Sequence, residues 1–532
     1  MWKLSSFVLV LAVILTFATG LLPVNDYDFF WHLKTGEWIW HNKSLPDKDP
    51  FSFTALRSDN YDSHRPQIIL KSYWLSQLFF YALYSLSGFN GIIVFRSFVF
   101  CIILVFLWHT MGKEGIDYRL RAALLILYIF IIREYQKERP QLFSFLFAPI
   151  VLHLLNGIKN SSLTGLKNLN NFLRLTGLPL VMFIWANMHG GFLVGIAFII
   201  AYLTAEWLIF LGKTKKSPPL RFTCAAAIAI AAVFINPNSY HTITSFFMFY
   251  QSMLPDVTLE FLSPLKIFDR LGSNWYSYWF LLILALSVFI FRFGKFNITE
   301  KFVLAGTAVA SLSSLRYVLF FFIAAIPIIA RHINPFITHF FQNAASSLKS
   351  RSMNAMLLAV FFILIYCSPL KSMPLKEDIQ QDMFPVEAAY FLDNNDLPEL
   401  MFNDVTWGGY LIWRLYPKYK VFIDSRTLNI DIFRQYYSVL DASRKVYAGL
   451  PEWKGILNTY SVNIILTPLT DRYSGEVLPL IAELIHDDEW ALIYLDSKTS
   501  IFLRKTRETT GFIKNHYFDK EMLWREIIIG RR

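Results

Sequence analysis

Residues 25–37 have the sequence Asn-Asp-Tyr-Asp-Phe-Phe-Trp-His-Leu-Lys-Thr-Gly-Glu and follow directly on an apolar run over residues 4–24. They place Asp26, Asp28 and His32 where a membrane span would deliver the chain to the membrane surface. Ionisable groups at such a border are costly unless they are solvated, paired or functional. The stretch is therefore a candidate reaction centre. Capping of the next helix by either aspartate is the structural alternative.

The composition is that of a membrane protein with a soluble part. Of the 532 residues, 55% are hydrophobic, 17% are charged and 51 are phenylalanine. The net charge of +11 lies mostly in short loops between apolar runs, where it reports membrane topology and not nucleic-acid binding. The three cysteines lie inside apolar runs and form neither a disulfide framework nor a zinc motif.

Apolar runs predict about eleven transmembrane helices, although several are shorter than the roughly 20 residues that cross a bilayer. A further segment, Tyr73–Leu86, mixes aromatic and polar residues and is interpreted as a helix at the membrane interface. If that segment crosses the membrane instead, every later loop changes sides. The eleven runs lie at residues 4–24, 91–111, 120–133, 141–157, 175–188, 191–211, 221–236, 275–292, 301–314, 315–330 and 353–371.

Basic residues in the loops set the predicted orientation. With the N-terminus inside, five inner loops carry sixteen Lys and Arg residues, whereas the four later outer loops carry six. This excess follows the positive-inside rule. It predicts a cytoplasmic (inner) membrane protein whose segment 372–532 lies outside the cytoplasm.

Segment 372–532 changes character and is predicted to be a small α/β domain. Strand-like runs at 399–403, 420–424, 462–466 and 491–495 alternate with helical stretches at 386–394, 432–446 and 477–486. The predicted organisation is a transmembrane catalytic domain over 1–371, whose first outer loop, 25–90, carries the acidic stretch, followed by the α/β domain.

The unusual polar residues fall on the outer side of this topology, which predicts an outward-facing site built from several loop ends. With Asp26, Asp28 and His32, the candidates are Glu134, Arg139, Gln141, Asn187, His189, Asn236 and Arg316.

Each of these loop residues also has a structural alternative. Arg139 could simply reach the interface with its long side chain, or could bind phosphate or carboxylate together with Glu134 and Gln141. His189 precedes two glycines on a tight turn, where a histidine can be structural or functional. Arg316 is a lone cation between two apolar spans, so its burial requires an anionic partner.

With these motifs in view, the chain resembles the GT-C superfamily of integral-membrane glycosyltransferases, and more closely a bacterial family within it. The resemblance covers most of the chain. It rests on Asp28-Phe-Phe-Trp-His32-Leu-x-x-Gly36, Pro46-x-x-Asp49-Pro50-Phe51-Ser52-x-Thr54, Arg139-Pro140-Gln141, Trp185-Ala-Asn187-x-His189-Gly190, Trp407-Gly408-Gly409-Tyr410-Leu411 and Val421-Phe-Ile-Asp424-Ser-Arg426.

The resemblance implies a sugar donor linked to polyprenyl phosphate and an extracytoplasmic glycan, lipid or protein as acceptor, within glycan biosynthesis of the cell envelope. Asp28 best matches the family's acidic position after the first span, and Asp26 is second. Better-known members carry an adjacent acidic pair or a second acidic motif in a later outer loop. Here the nearest candidates are Glu134 and Glu138, so a divalent metal (Mg or Mn) stays an open alternative and no cofactor is assigned.

On this resemblance, Asp28 or Asp26 would act as general base in an inverting transfer, and His32, one helical turn later, would orient the carboxylate or contact phosphate. Basic side chains of the later loops would stabilise the leaving phosphate. These are Arg139, Arg316 and His189.

The C-terminal domain would bind or orient the acceptor, although its Asp424 and Arg426 are explained equally well as an internal salt bridge. Two rival functions stay open: a non-enzymatic transporter or flippase of lipid-linked sugars, and a catalytically inactive GT-C-like scaffold.

Overall fold

A computed structural model of the protein describes residues 2–55, 64–160, 169–212, 218–244, 259–343, 347–367, 378–447, 449–471, 474–520 and 523. Up to residue 367 the regular structure of these residues is helical. The helices are α1 Trp2–Thr19, α2 Phe29–Asn42, α3 His64–Ser72, α4 Trp74–Lys113, α5 Tyr118–Ile132, α6 Gln141–Lys159, α7 Leu169–Met188, α8 Phe192–Leu211, α9 Leu220–Ala232, α10 Tyr276–Arg292, α11 Ile298–Ser313, α12 Val318–Asn343 and α13 Ser347–Tyr366.

A helix lies over each of the eleven apolar runs, as the sequence predicts. Five segments are long and apolar enough to cross a membrane, which agrees with an integral membrane protein. They are Trp74–Lys113, Gln141–Lys159, Phe192–Leu211, Ser273–Lys295 and Leu315–His339. The full number of eleven spans stays a prediction, because the other apolar helices are shorter.

The long helix α4 is interrupted at Gly88, whose backbone has φ 61° and ψ −157°. Glycine adopts this conformation readily because it has no Cβ. The break falls two residues after the end of Tyr73–Leu86, so that segment forms a helical piece distinct from the apolar run over 91–111. Whether the segment lies at the interface stays a prediction.

The C-terminal part contains the strands of the protein, with helices between them. The strands are β1 Leu400–Asn403, β2 Lys420–Val421, β3 Val446–Tyr447, β4 Leu450–Pro451, β5 Ile464–Pro468, β6 Trp490–Leu495 and β7 Thr499–Arg504. The helices are α14 Val386–Asp393, α15 Gly408–Leu415, α16 Ile430–Leu440, α17 Glu452–Thr459, α18 Pro479–His486 and α19 Thr510–His516.

Five of these strands form one mixed sheet in the order β2-β1-β5-β7-β6. Strand β1 pairs in parallel with β2 and β5, whereas β7 pairs antiparallel with β5 and β6. The α/β prediction is therefore confirmed, and each of the four predicted strands overlaps an observed one. Strand β7 was not predicted, because its residues are buried on both faces and show no alternation of polar and apolar side chains.

Two predicted elements of this domain extend three or more residues beyond the observed ones. The predicted strand 420–424 stops at Val421 because the Asn403 side chain accepts from the Phe422 N–H at 2.8 Å and donates to the Ile423 carbonyl at 2.8 Å, replacing strand pairing. The predicted helix 432–446 ends at Leu440. The chain leaves the helix there, and Ala442 has φ 48°.

The chain forms two compact units. One consists of residues 1–24 and 83–378, and the other of residues 25–82 and 379–532. The sequence predicted that the loop 25–90 belongs to the transmembrane domain, whereas residues 25–82 pack in one unit with the α/β domain. We call the first the helical unit and the second the mixed unit.

Candidate functional site

The acidic stretch lies at the start of α2 in the mixed unit. Asp28 is the residue before the helix, and its carboxylate makes no capping bond to the helix backbone. Asp26 is 1% exposed, and its Oδ1 accepts from the Asp28 N–H at 2.9 Å. The Asp28 carboxylate is half-buried and accepts from Trp31 Nε1 at 3.4 Å. Asp26 therefore shapes the turn, whereas Asp28 is a partly exposed residue at the start of the helix.

His32 is buried one turn further along α2. Its Nδ1 accepts from the Gln77 side-chain amide at 3.2 Å, since that nitrogen can only donate. The imidazole packs against the Trp31 ring, with the centroids 3.5 Å apart, and edge-on to Tyr73 at 5.1 Å. These contacts give His32 a packing role in the mixed unit. Its predicted contact with the Asp28 carboxylate stays a prediction.

Arg426 holds two buried carboxylates in the mixed unit. Its guanidinium donates to both oxygens of Asp49, at 2.9 and 3.1 Å, and to both oxygens of Asp424, at 2.7 Å each. Asp49 also accepts from the backbone N–H groups of Phe51 and Ser52. The internal salt bridge that the sequence offered as the alternative for Asp424 and Arg426 is therefore present.

Two glycines bring the C-terminal motif against the acidic stretch within the mixed unit. A Cβ on Gly409 would lie 2.5 Å from the Tyr27 carbonyl oxygen, and one on Gly408 would overlap the Ile423 carbonyl. Only hydrogen in place of a side chain allows these backbone approaches. Next to them, the Phe30 ring packs on Tyr410 and on Phe384. Motifs almost 400 residues apart in sequence thus form one structure around Asp28.

The helical unit contains a cavity of about 230 Å³ at its loop ends, which we call the loop cavity. Four of the predicted site residues line it, namely Glu134, Arg139, Gln141 and Arg316. Three charged side chains not predicted as site residues join them: Lys137, Glu260 and Arg270. Four basic and two acidic side chains leave two net positive charges, so the loop cavity suits an anionic ligand.

Glu260 is the acidic centre of the loop cavity. Its Oε1 accepts from Arg139 Nη1 at 2.6 Å and lies 3.5 Å from Lys137 Nζ. Burial alone would raise the pKa of Glu260, but Arg139, Lys137 and Arg316 outweigh it and lower the pKa to about 2. Glu260 thus carries its charge at neutral pH. The available sequence signal was an acidic residue between Leu259 and Phe261, in a loop that the charge rule predicts to be outer.

Arg316 and Glu134 have different partners in the loop cavity, an aromatic ring and a side-chain amide. The Arg316 guanidinium lies over the Phe261 ring, 4.4 Å from its centroid. Glu134 Oε1 accepts from Asn274 Nδ2 at 2.6 Å. A cation resting on an aromatic face keeps donors for a ligand, whereas the Glu134 carboxylate is already engaged.

His189 is the centre of a buried hydrogen-bonded turn. Its Nδ1 accepts from the Gly191 N–H at 2.9 Å and lies 2.7 Å from Ser144 Oγ, which in turn accepts from Trp185 Nε1. Because Nδ1 accepts, the proton of the neutral ring lies on Nε2. Burial, followed by the charge of Arg316, lowers the pKa of His189 to about 3. His189 is therefore neutral at physiological pH and does not supply a positive charge.

Asn187 and Asn236 bond to the protein's own backbone. Asn187 Nδ2 donates to the Phe183 and Ile235 carbonyls, at 2.9 and 2.8 Å, which ties the ends of α7 and α9 together. Asn236 Oδ1 accepts from the Asn238 N–H at 2.8 Å. Among the residues that the structure describes, neither lines the loop cavity. Their substrate contacts stay predictions.

Glu138 has a structural partner that the sequence did not reveal. Arg96, fully buried in α4, forms an ion pair with it and donates to the backbone carbonyls of Gln136, Gly20 and Leu22. The pair therefore fixes Gln136 and Glu138, which lie in sequence between residues that line the loop cavity. In the described ranges no three His, Cys, Asp or Glu side chains converge to hold a metal ion.

Comparison with solved structures relates this fold to one kind of membrane enzyme. The archaeal oligosaccharyltransferase AglB from Archaeoglobus fulgidus, in complex with an inhibitory peptide and a dolichol-phosphate, matches with a TM-score of 0.56 at 10% identity, over 94% of this chain and 74% of that one. The oligosaccharyltransferase of the same organism, tethered to an acceptor peptide containing the NVT sequon, gives a TM-score of 0.53 at 10% identity, over 95% and 74%. A complex with Zn and sulfate gives 0.50 at 11% identity, over 93% and 73%.

No protein-family model matches the sequence, and no curated protein shows significant sequence similarity to it. At sequence identities of 10 to 11%, these matches show similarity of fold alone. Over nearly its whole length the chain is similar in fold to archaeal oligosaccharyltransferase.

Proposed function

We propose that the chain transfers a sugar from a polyprenyl-phosphate-linked donor to an extracytoplasmic glycan, lipid or protein, with inversion at the anomeric carbon. The observation that carries this proposal is the loop cavity, where Arg139 and Arg316 face one space with two net positive charges. A leaving polyprenyl phosphate gains negative charge on its oxygens, and prearranged cations stabilise that charge. The likeness to a fold solved with dolichol-phosphate supports a lipid-linked donor.

In this proposal Asp28 is the general base. Its carboxylate takes the proton of the acceptor hydroxyl while the acceptor oxygen bonds to the anomeric carbon and the bond to the phosphate oxygen breaks. The half-buried Asp28 side chain supports this assignment over Asp26, whose carboxylate is committed to the turn. The roles of Arg139 and Arg316 are electrostatic, so neither requires a change of protonation.

The proposal includes the predicted topology. Eleven helices would span the cytoplasmic membrane with the N-terminus inside, and the mixed unit would lie outside the cytoplasm. Support comes from the helix found over each apolar run and from the basic inner loops. Labelling of cysteines introduced in the α/β domain of intact cells tests the orientation.

The first experiment compares lipid-linked and surface glycans, by mass spectrometry, of cells with and without the protein. Loss of one glycan together with accumulation of its lipid-linked precursor is expected. In the same cells, Asp28→Asn should lower transfer by about a hundredfold or more, because a general base contributes at least that factor. Asp47→Asn is the matched control, since its side chain is 85% exposed and follows the same helix α2 that Asp28 precedes.

The second experiment tests the loop cavity. Arg139→Gln should lower transfer by about a hundredfold, the cost of removing one charge-stabilising donor. Lys266→Gln removes an exposed cation of the same loop region and should leave transfer unchanged. Repeating both assays with a chelator and with added Mg or Mn tests metal dependence. Unchanged glycans in the deletion strain, or full activity of Asp28→Asn, would refute the proposal.

A further inference from the structure

The helical unit contains a second cavity, larger than the loop cavity. Its volume is about 360 Å³, and its lining includes four basic side chains and two acidic ones. We call it the helix-end cavity. The basic residues are Lys113, Lys159, Arg174 and Arg331, and the acidic residues are Glu114 and Glu300.

The two cavities lie toward opposite ends of the same helices. Along α6, Gln141 lines the loop cavity, and Asn156, fifteen residues later, lines the helix-end cavity. The same spacing separates Arg316 from Arg331 at α12. At 1.5 Å per residue, fifteen residues correspond to about 22 Å along a helix. The helix-end cavity is thus on the side of the basic loops, which the charge rule assigns to the cytoplasm.

Two of the four basic side chains of this cavity, Arg331 and Lys159, contact carboxylates. Arg331 Nε donates to Glu114 Oε2 at 3.0 Å, and another nitrogen of Arg331 pairs with Glu300. Lys159 Nζ lies 3.7 Å from a Glu206 oxygen and donates to Thr299 at 2.7 Å.

Two cations are left over. Within the described ranges no carboxylate pairs with Lys113 or Arg174, and Arg174 makes only a 3.5 Å contact with the Gly157 carbonyl. Both side chains line the cavity. Two cations that line one cavity without carboxylate partners favour an anionic ligand, and an arginine together with a lysine suits the oxygens of a phosphate group.

The remaining lining combines polar side chains, such as Asn156 and Asn297, with an apolar wall. Phe106, Leu152 and Ile328 form part of the wall, and two helix-interior prolines, Pro149 and Pro327, also line it. A free phosphate would contact the basic side chains alone and leave this wall empty. A lipid would use both parts, with its phosphate at the cations and its chain on the wall. Basic pockets between transmembrane helices on the cytoplasmic side are suited to such head groups.

We propose that the helix-end cavity binds a phosphate-bearing lipid, whose phosphate is held by Lys113 and Arg174 and whose hydrocarbon chain packs on the apolar wall. This site is separate from the loop cavity and does not depend on the proposed sugar transfer. The bound lipid could come from the membrane's phospholipids or from a polyprenyl phosphate, and the test distinguishes these sources.

The test measures lipid binding to the purified full-length chain in detergent by native mass spectrometry. Four probes are compared: phosphatidic acid, a polyprenyl phosphate, diacylglycerol, which lacks the phosphate, and inorganic phosphate. The wild-type chain should bind one of the phosphorylated lipids at least tenfold more tightly than diacylglycerol. Whichever of the two binds better identifies the source. The same lipid should raise the melting temperature of the wild type.

The variant Lys113→Gln/Arg174→Gln should weaken binding by about 25-fold, from about fivefold for each basic residue near a phosphate. The control Lys295→Gln/Lys301→Gln removes the same charge from the same end of the helices, outside the cavity lining, and should bind within about twofold of wild type. Equal losses in both variants would overturn the proposal. So would equal binding of diacylglycerol, or binding of inorganic phosphate as tight as that of either lipid.

Discussion

Arg426 is expected to hold the mixed unit together, because it is the shared partner of two buried carboxylates. The side chain of Arg426 is 1% exposed, and those of Asp49 and Asp424 are 0% and 3% exposed. Replacing it in the variant Arg426→Met keeps most of the volume and removes all four hydrogen bonds. The two carboxylates are then buried near each other without a counter-charge.

The loss in free energy of unfolding caused by Arg426→Met has an upper bound. Removing one partner of a buried ion pair costs about 3–5 kcal/mol. Each orphaned carboxyl can instead bind a proton, which at pH 7 costs about 4 kcal/mol for an ordinary aspartate. Two such groups set an upper bound of about 8 kcal/mol. We expect a loss of about 3–5 kcal/mol, or a melting temperature lower by about 6–20 °C for a unit of this size.

The assay is thermal unfolding of the full-length chain in detergent, followed by tryptophan fluorescence. Orphaned carboxyls have a higher pKa in the folded than in the unfolded protein. The folded variant then binds more protons above pH 4, so its deficit should shrink as the pH falls from 7 to 5. The control is Arg434→Met, whose side chain is 64% exposed in a surface pair with Asp431 and should cost less than about 1 kcal/mol.

A triple variant tests the reasoning directly. Arg426→Met combined with Asp49→Asn and Asp424→Asn removes the orphaned charges and should recover most of the lost stability. If the triple variant melts no higher than Arg426→Met, or if the single variant shows no pH-dependent recovery, burial of unpaired charge is not the cause. Arg426 would then stabilise the mixed unit through the packing of its side chain and not through its charge.

Three further results are expected from thermal unfolding of the same preparation. Gly191→Ala should cost about 1–3 kcal/mol because its Cβ would overlap a buried serine hydroxyl, whereas Gly190→Ala, with no atom within 4 Å of its Cβ, should be nearly neutral. Gly409→Ala should destabilise the mixed unit by a similar amount, against Gly511→Ala as the open-space control, and equal melting temperatures would contradict the close packing. Because the pKa of Glu260 is lowered to about 2, its contribution is present above about pH 4.5 and is lost toward pH 2. The advantage of wild type over Glu260→Gln should fall by at most about 3 kcal/mol across that range, and a constant difference would contradict the lowered pKa.

Local sequence patterns predicted much of the secondary structure. Apolar runs such as 191–211 become helices because a helix satisfies the backbone N–H and C=O groups within the segment itself. Strand β5 was predicted from its β-branched residues, and the glycine at position 88 separates the polar and apolar pieces of α4. The sequence also identified Glu134, Arg139, Gln141 and Arg316, which do line one cavity, because polar residues at loop ends stand out in a largely apolar chain.

Glu260 was not predicted, since an isolated glutamate in a long loop has no periodic signal. Asn187 and His189 stood out for the same reason as Arg139. Their bonds to backbone and to Ser144 depend on which helices become neighbours. The sequence motifs therefore identified unusual polar residues. They did not show whether those residues bind a ligand or other parts of the protein.

By itself the sequence determined the helices over the apolar runs, four strands of the α/β domain and the resemblance to the GT-C superfamily, because each follows from local periodicity or contiguous motifs. The tertiary structure alone decided that residues 25–82 fold with the α/β domain, and that Asp49 meets Arg426 across 377 positions. It also decided that Arg96 is buried against Glu138. Such pairings follow from the whole chain's need to compensate buried charge, and no local stretch of sequence encodes which distant partner will do so.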